Sequence, residues 1–143
     1  MRRLITGAFL MFIAVAIGAG AAIAAASTLS FAELYEKGSD PSAKTKALTG
    51  SEVEIVGYMA PPLKAQATFF VLTKMPMAVC PFCDSTLDWP TDIVLIKTSS
   101  IVDPTPFNFP IKVVGKLEVG FEKDPETGFV SFLRLTDAVF ERL

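Results

Sequence analysis

From Pro110 to Phe121 the chain reads PIKVVGKLEVGF, and this stretch limits the possible folds more than any other. Ile111, Val113, Gly115, Leu117, Val119 and Phe121 alternate strictly with Lys112, Val114, Lys116, Glu118 and Gly120. A helix advances about 100° per residue and would scatter these side chains around its axis. A period of two is satisfied by an extended strand with one face buried. Asp124-Pro125-Glu126-Thr127-Gly128 behind it is turn chemistry, so the following FVSFLRL is predicted to return as the hairpin partner.

The same period recurs upstream. Val53, Ile55, Gly57 and Met59 face one way, and Glu52, Glu54, Val56 and Tyr58 the other. Thr68 to Thr73 and Ile93 to Lys97 are two further strands, and Val139 to Leu143 adds a short final strand or turn. The runs VEIVGYM and IKVVGKL share one pattern, which places Gly57 and Gly115 in mid-strand. A mid-strand glycine marks a bulge or the tight bend that a small barrel needs at its corners. The expected fold class is therefore all-β: a small five-stranded barrel of the oligonucleotide/oligosaccharide-binding (OB) kind with one short N-terminal helix. The helix is expected over Ser30 to Gly38, where Ser30 and Glu33 form a capping-box pair and Gly38 suits a left-handed close. A polar connector follows it. Phe69, Phe70, Phe121, Phe129 and Phe132 are expected in the core, while Phe107 and Phe109 lie in a Pro-rich loop and cap a barrel end.

Ahead of this domain stands a different kind of segment. Met1-Arg2-Arg3 leads into an uncharged, Ala-rich run from Leu4 to Ala26. The pattern is that of a secretory signal with Ala24-x-Ala26 as the cleavage site before Ser27. An uncleaved membrane anchor is the competing reading, since the run is long enough to span a bilayer. The expected organisation is thus a signal over residues 1–26, the short helix and connector over 27–49, and the barrel over 50–143. The general secretory route and a periplasmic location follow. Membrane contact is then limited to the signal segment, if that stays uncleaved.

Without Arg2 and Arg3, the thirteen Lys and Arg fall to eleven against fifteen Asp and Glu, a net charge of −4. An acidic domain with dispersed charges excludes nucleic acid and anionic lipid surfaces as partners. The chain has no histidine, which removes the commonest general base and every Ser-His or Cys-His nucleophile arrangement. No carboxylates form a convincing acid/base pair. A binding module, not an enzyme, is the expectation.

The chemistry concentrates in KMPMAVCPFCDSTLDWPTD, residues 74–92. This segment is long for a connection between two strands, and such loops in compact domains tend to be functional. It holds Cys80 and Cys83 at Cys-x-x-Cys spacing, Met75 and Met77, the sole tryptophan Trp89, and Asp84, Asp88 and Asp92. Three readings stand. As a metal site, Cys80 and Cys83 supply half a tetrahedral zinc centre, completed by Asp84 or Asp88 or by a second copy of the chain across a homodimer. With Met75 and Met77 the same thiolates form a soft set suited to copper(I). As a redox pair, the cysteines lack the helix that lowers a thiol pKa, since Pro90 stops one within two turns and the nearby aspartates raise it. As a plain Cys80–Cys83 disulfide they staple the loop, the default state outside the cytoplasm.

Gly57-Tyr58-Met59 followed by Pro61 and Pro62, an apolar strand, and a Cys- and Pro-containing segment leading to TDIVLIK resemble a domain-of-unknown-function family. The resemblance covers Val53 to Lys97, and IKVVGKLEV fits the family's later glycine-containing strand. It implies a short exported bacterial protein with an OB-like barrel, often encoded near ABC-type transporters. The family commonly carries a Cys-x-His-x-Pro-Pro-like run where this chain has Cys80-Pro81-Phe82-Cys83, which makes Cys80 the carried-over position. The combined expectation is a periplasmic accessory protein that binds zinc or copper through Cys80 and Cys83, in support of an envelope transport system. Met75, Met77 and Asp84 are the candidate additional ligands. Its rivals are a periplasmic thiol-disulfide redox protein and a structural or interaction domain with a stapling disulfide.

Overall fold

A computed structural model describes residues 25–78, 90–125 and 128–143. Among the described residues the chain is mostly β, with very little helix. Its strands are β1 (Ser27–Thr28), β2 (Glu52–Met59), β3 (Phe69–Thr73), β4 (Ile93–Lys97), β5 (Pro110–Lys123) and β6 (Val130–Arg142). They form one mixed sheet in the order β1-β2-β3-β4-β6-β5. β2 also pairs antiparallel with β5 from Glu52↔Lys116 to Tyr58↔Pro110, so the pairings run in a closed circuit through β2, β3, β4, β6 and β5. The circuit contains one parallel junction, β4 with β6, at Leu95↔Arg134 and Ile96↔Leu135.

Six strands are present among the described residues where five were expected. The extra one, β1, is two residues long, too short to show a period, and lies alongside β2 in parallel at Ser27↔Val53 and Thr28↔Glu54. β2 meets β3 only at Tyr58 and Met59, so β1 occupies a part of that edge which β3 does not reach. Leu29 and Leu34 follow β1 into the core and are fully buried.

The expected helix over Ser30 to Gly38 is a single 3-10 turn, Phe31–Glu33. Its capping signal is real: the Glu33 carboxylate accepts from the Ser30 amide (3.0 Å) and the Ser30 hydroxyl (2.7 Å). Gly38 is left-handed as expected (φ 62°). Yet Tyr35 bridges to Pro41, which bends the chain before a second turn can form. The helix, α1 (Ala43–Ala47), lies instead in the segment read as a connector. Ser42 caps it, accepting from the Thr45 amide at 3.0 Å, and polar composition concealed that start.

The alternation in β2 survives intact, with Val53, Ile55, Gly57 and Met59 inward. That in β5 holds only through Leu117. Between Val119↔Leu133 and Glu122↔Ser131, β5 advances one residue more than β6, a bulge at Gly120 (φ 130°) and Phe121. The extra residue turns Phe121 outward, to 74 % exposure, which corrects its expected place in the core. Its ring packs on half-buried Phe132 at 4.8 Å between centroids. Phe70 is buried and meets Phe140 edge-on at 5.1 Å, whereas Phe69 and Phe129 are half-buried. Phe109 lies under the Arg142 guanidinium, 3.5 Å from its ring centroid.

A second bulge, this time in β6, explains why the hairpin partner and the expected short final strand are one element. From Val114↔Val139 to Lys116↔Thr136, β6 carries the extra residue around Asp137, whose backbone is left-handed (φ 51°). The strand then continues to Arg142. Gly115 sits opposite, where a Cβ would lie 3.0 Å from both the Ala138 Cβ and the Thr136 carbonyl oxygen. The main core lies between β2, β5, β6 and the inner faces of β3 and β4. Val71, Ile93 and Leu95 on the other face of β3 and β4 are buried too, in a second cluster with Ala60.

Candidate binding site at the loop between β3 and β4

The segment with the cysteines leaves the sheet after Thr73 and returns at Ile93, two residues that are register partners. Its neck is closed by backbone: the Lys74 amide donates to the Asp92 carbonyl at 3.0 Å. The buried Thr73 hydroxyl shares its proton between the carbonyls of Met75 (2.8 Å) and Tyr58 (3.2 Å), which ties the start of the loop to β2. These bonds fix where the loop leaves the sheet and where it returns.

Met75 stands outside that neck at 61 % exposure, and Met77 is half-buried. Most of the Met75 side chain is open to solvent, so its thioether is accessible to a soft ligand. Cys80, Cys83 and Asp84, with Asp88 and Trp89, lie outside the described residues. Asp92 is at the neck and contributes its carbonyl. Among the described residues no group of three or more cysteine, aspartate or glutamate side chains converges.

A second constellation escaped the sequence reading. Arg134 on β6 is only 8 % exposed, and its Nε donates to Glu118 at 2.9 Å. Its Nη1 donates to the Gly120 carbonyl at 2.8 Å, and Nη2 lies 3.0 Å from Glu122. Glu122 also takes a hydrogen bond from Lys97 on β4, and Thr136 reaches Glu118 at 3.3 Å. The Lys97 hydrogen bond holds the Glu122 carboxyl below the usual carboxylate range, burial opposes this, and Arg134 adds to the lowering. Each charge already has its partner, and the guanidinium clamps the β5 bulge through Gly120. The arrangement serves structure. Its signal was the cross-strand pairing of Glu118 with Arg134, legible only once the register is known.

No family model matches the chain, and no curated protein matches it. Among solved structures it is similar to a DUF3299 family protein from Pseudomonas aeruginosa PAO1, with a TM-score of 0.57 and 19 % sequence identity. The likeness covers 83 % of this chain and 97 % of that one. It is a likeness of fold, and it runs over nearly the whole of the second protein. The family label of that neighbour denotes a domain of unknown function.

Proposed function

We propose that this chain is an exported, periplasmic accessory protein, built on an OB-like barrel, which binds a transition metal through its β3–β4 loop. The closed circuit of pairings with its single parallel junction supports the barrel reading. Cys80 and Cys83 are the primary ligands, with Met75 and Met77 completing a soft set for copper(I), or Asp84 or a second copy of the chain completing a zinc site. The observation that carries the reading is the exposed Met75 at the hydrogen-bonded neck of the loop that holds both cysteines. The role is binding in support of an envelope transport system, without catalysis. An acidic, dispersed surface supports the exclusion of nucleic acid.

The test is an intact mass under native conditions on protein purified from the periplasm without reductant. One bound zinc or copper per chain, or one per pair of chains, lost in the double variant Cys80→Ser/Cys83→Ser, is the expected result. Reduced protein that takes up neither metal overturns it. A metal-free mass about two daltons light indicates a disulfide and favours the redox or staple reading. Cys80→Ser then separates those two, since insulin reduction disappears in the variant only if the pair is catalytic.

A further inference from the structure

At the opposite end of β3 from the cysteine loop, the β2–β3 and β4–β5 connections enclose a cleft of about 310 Å³. Phe69 and Phe70 of β3 line one part of it, and Ile101, Val102 and Pro104 of the second connection another. The walls are held together by backbone. The Val102 amide donates to the Ala67 carbonyl at 2.9 Å, and the Thr98 amide to the Thr68 carbonyl at 2.8 Å. The Thr98 hydroxyl reaches that same carbonyl at 2.9 Å. The lining is apolar, and Ile101 is left 61 % exposed at its edge.

Two polar residues break this apolar lining, both from the β2–β3 connection: Lys64 and Gln66. Lys64 is exposed and makes no ion pair or hydrogen bond among the described residues. Gln66 holds a left-handed backbone (φ 55°), a conformation costly for a residue with a Cβ and one that tends to persist at ligand clamps. Asp103 stands between two lining residues in sequence but is not part of the lining. The cleft therefore carries one cation and no anion.

We infer that this cleft binds a small anionic amphiphile, its apolar body against Phe69, Ile101 and Val102 and its carboxylate at Lys64. The volume is at the lower end for ligand pockets, which run from about 300 to 1,000 Å³. At about 30 Å³ per water-sized group it holds roughly ten such groups, the body of a medium-chain acid. The cleft and the neck of the proposed metal loop lie at opposite ends of β3.

Sodium octanoate, octylamine hydrochloride and 1-octanol, each below its aggregation concentration, are titrated into isotopically labelled protein and followed by amide chemical shifts. Saturable shifts at Ala65, Gln66, Ile101 and Val102 are expected. A single exposed ion pair predicts octanoate binding up to about fivefold tighter than octanol, with octylamine weaker still. Lys64→Glu removes that order. Ala65→Trp, at an exposed lining position, fills the cleft and weakens octanoate at least about tenfold. Ile101→Asp is the second variant should the tryptophan disturb folding. Shifts centred elsewhere, unsaturable shifts, equal affinity for octanoate and octylamine, or undiminished binding by both lining variants would each overturn the proposal.

Discussion

Gly57 shows how one absent methyl group shapes this fold. A Cβ there would stand 2.7 Å from the Thr73 carbonyl oxygen, 2.9 Å from the Phe31 ring and 3.0 Å from Leu72. The ring can swing aside but the carbonyl belongs to β3 and cannot. Gly57→Ala should therefore destabilise by about 1–3 kcal/mol in a denaturant titration, the usual cost of overpacking. An unchanged midpoint would mean that β2 and β3 separate more easily than their register implies. Arg134 is the polar counterpart. Arg134→Ala strands the Gly120 carbonyl and leaves Glu118 and Glu122 short of a cation, on side chains still partly open to water. The expected loss is about 1–3 kcal/mol, below that of a fully buried pair. It should come with faster amide exchange around the β5 bulge.

At the scale of elements, the Glu33 carboxylate is one of several groups that join the N-terminal segment to α1. Beside it stand the Ala43 amide on the Glu36 carboxylate and the Ser42 and Thr45 hydroxyls on the Glu33 and Leu34 carbonyls. Glu33 accepts from Lys44 at 2.6 Å as well as from Ser30, and these hydrogen bonds lower its pKa from 4.5 to about 2. A depressed carboxyl pKa means the contact is complete above the unfolded value and is lost as pH falls through the folded one. The link from Lys44 through Glu33 to Ser30 should thus be complete above pH 4.5 and be lost as the pH approaches 2, while the Ser42 and Thr45 hydrogen bonds keep the two elements together. A carboxyl NMR titration of Glu33, with amide exchange in Ala43–Ala47, follows this directly. Glu33→Gln should flatten the exchange profile over that range. Glu33 is on the surface, so the effect is local and will be reduced by salt.

For the whole molecule, the residues before β2 decide whether the sheet stands without its N-terminal segment. Leu29, just past β1, is fully buried, and its amide donates to the Glu54 carbonyl at 2.9 Å. Leu29→Ala should cost about 2–4 kcal/mol, within the range for a buried leucine. A loss under about 0.5 kcal/mol, the scale of a surface change, would show that this segment is an accessory and not part of the core. The closed circuit of strands adds a kinetic expectation. Its parallel junction joins β4 to β6 across the whole β5 excursion, and such distant pairing slows folding. Refolding in milliseconds to seconds by stopped-flow fluorescence of Trp89 is expected; microsecond folding would contradict it.

The strands were legible because alternation is a local property, and each residue reports its own face. Ile93–Lys97 was read to the residue, and Val53, Ile55 and Met59 of β2 fall inward as the pattern demands. The glycines at 57 and 115 were read as markers of a bulge or bend: Gly115 does lie opposite the β6 bulge, whereas Gly57 marks a close approach to β3. Other features were not legible, and the helix Ala43–Ala47 was hidden by its polar composition. The two residues of β1 are too few to carry a period. Phe121 follows the alternation in sequence but leaves it in space, because a one-residue bulge reverses the side that every later residue faces. Arg134 reads as an ordinary strand charge until the register sets it against Glu118 and folds Glu122 back upon it. The candidate loop divides in the same way: its cysteines and methionines are evident from composition, while its hydrogen-bonded neck and the exposure of Met75 depend on β2, β3 and β4 packing together. By itself the sequence determined which segments extend and which faces they bury. Only the tertiary structure decided the register, the bulges and the charge partners, because each of these is a relation between segments that one segment's pattern does not contain.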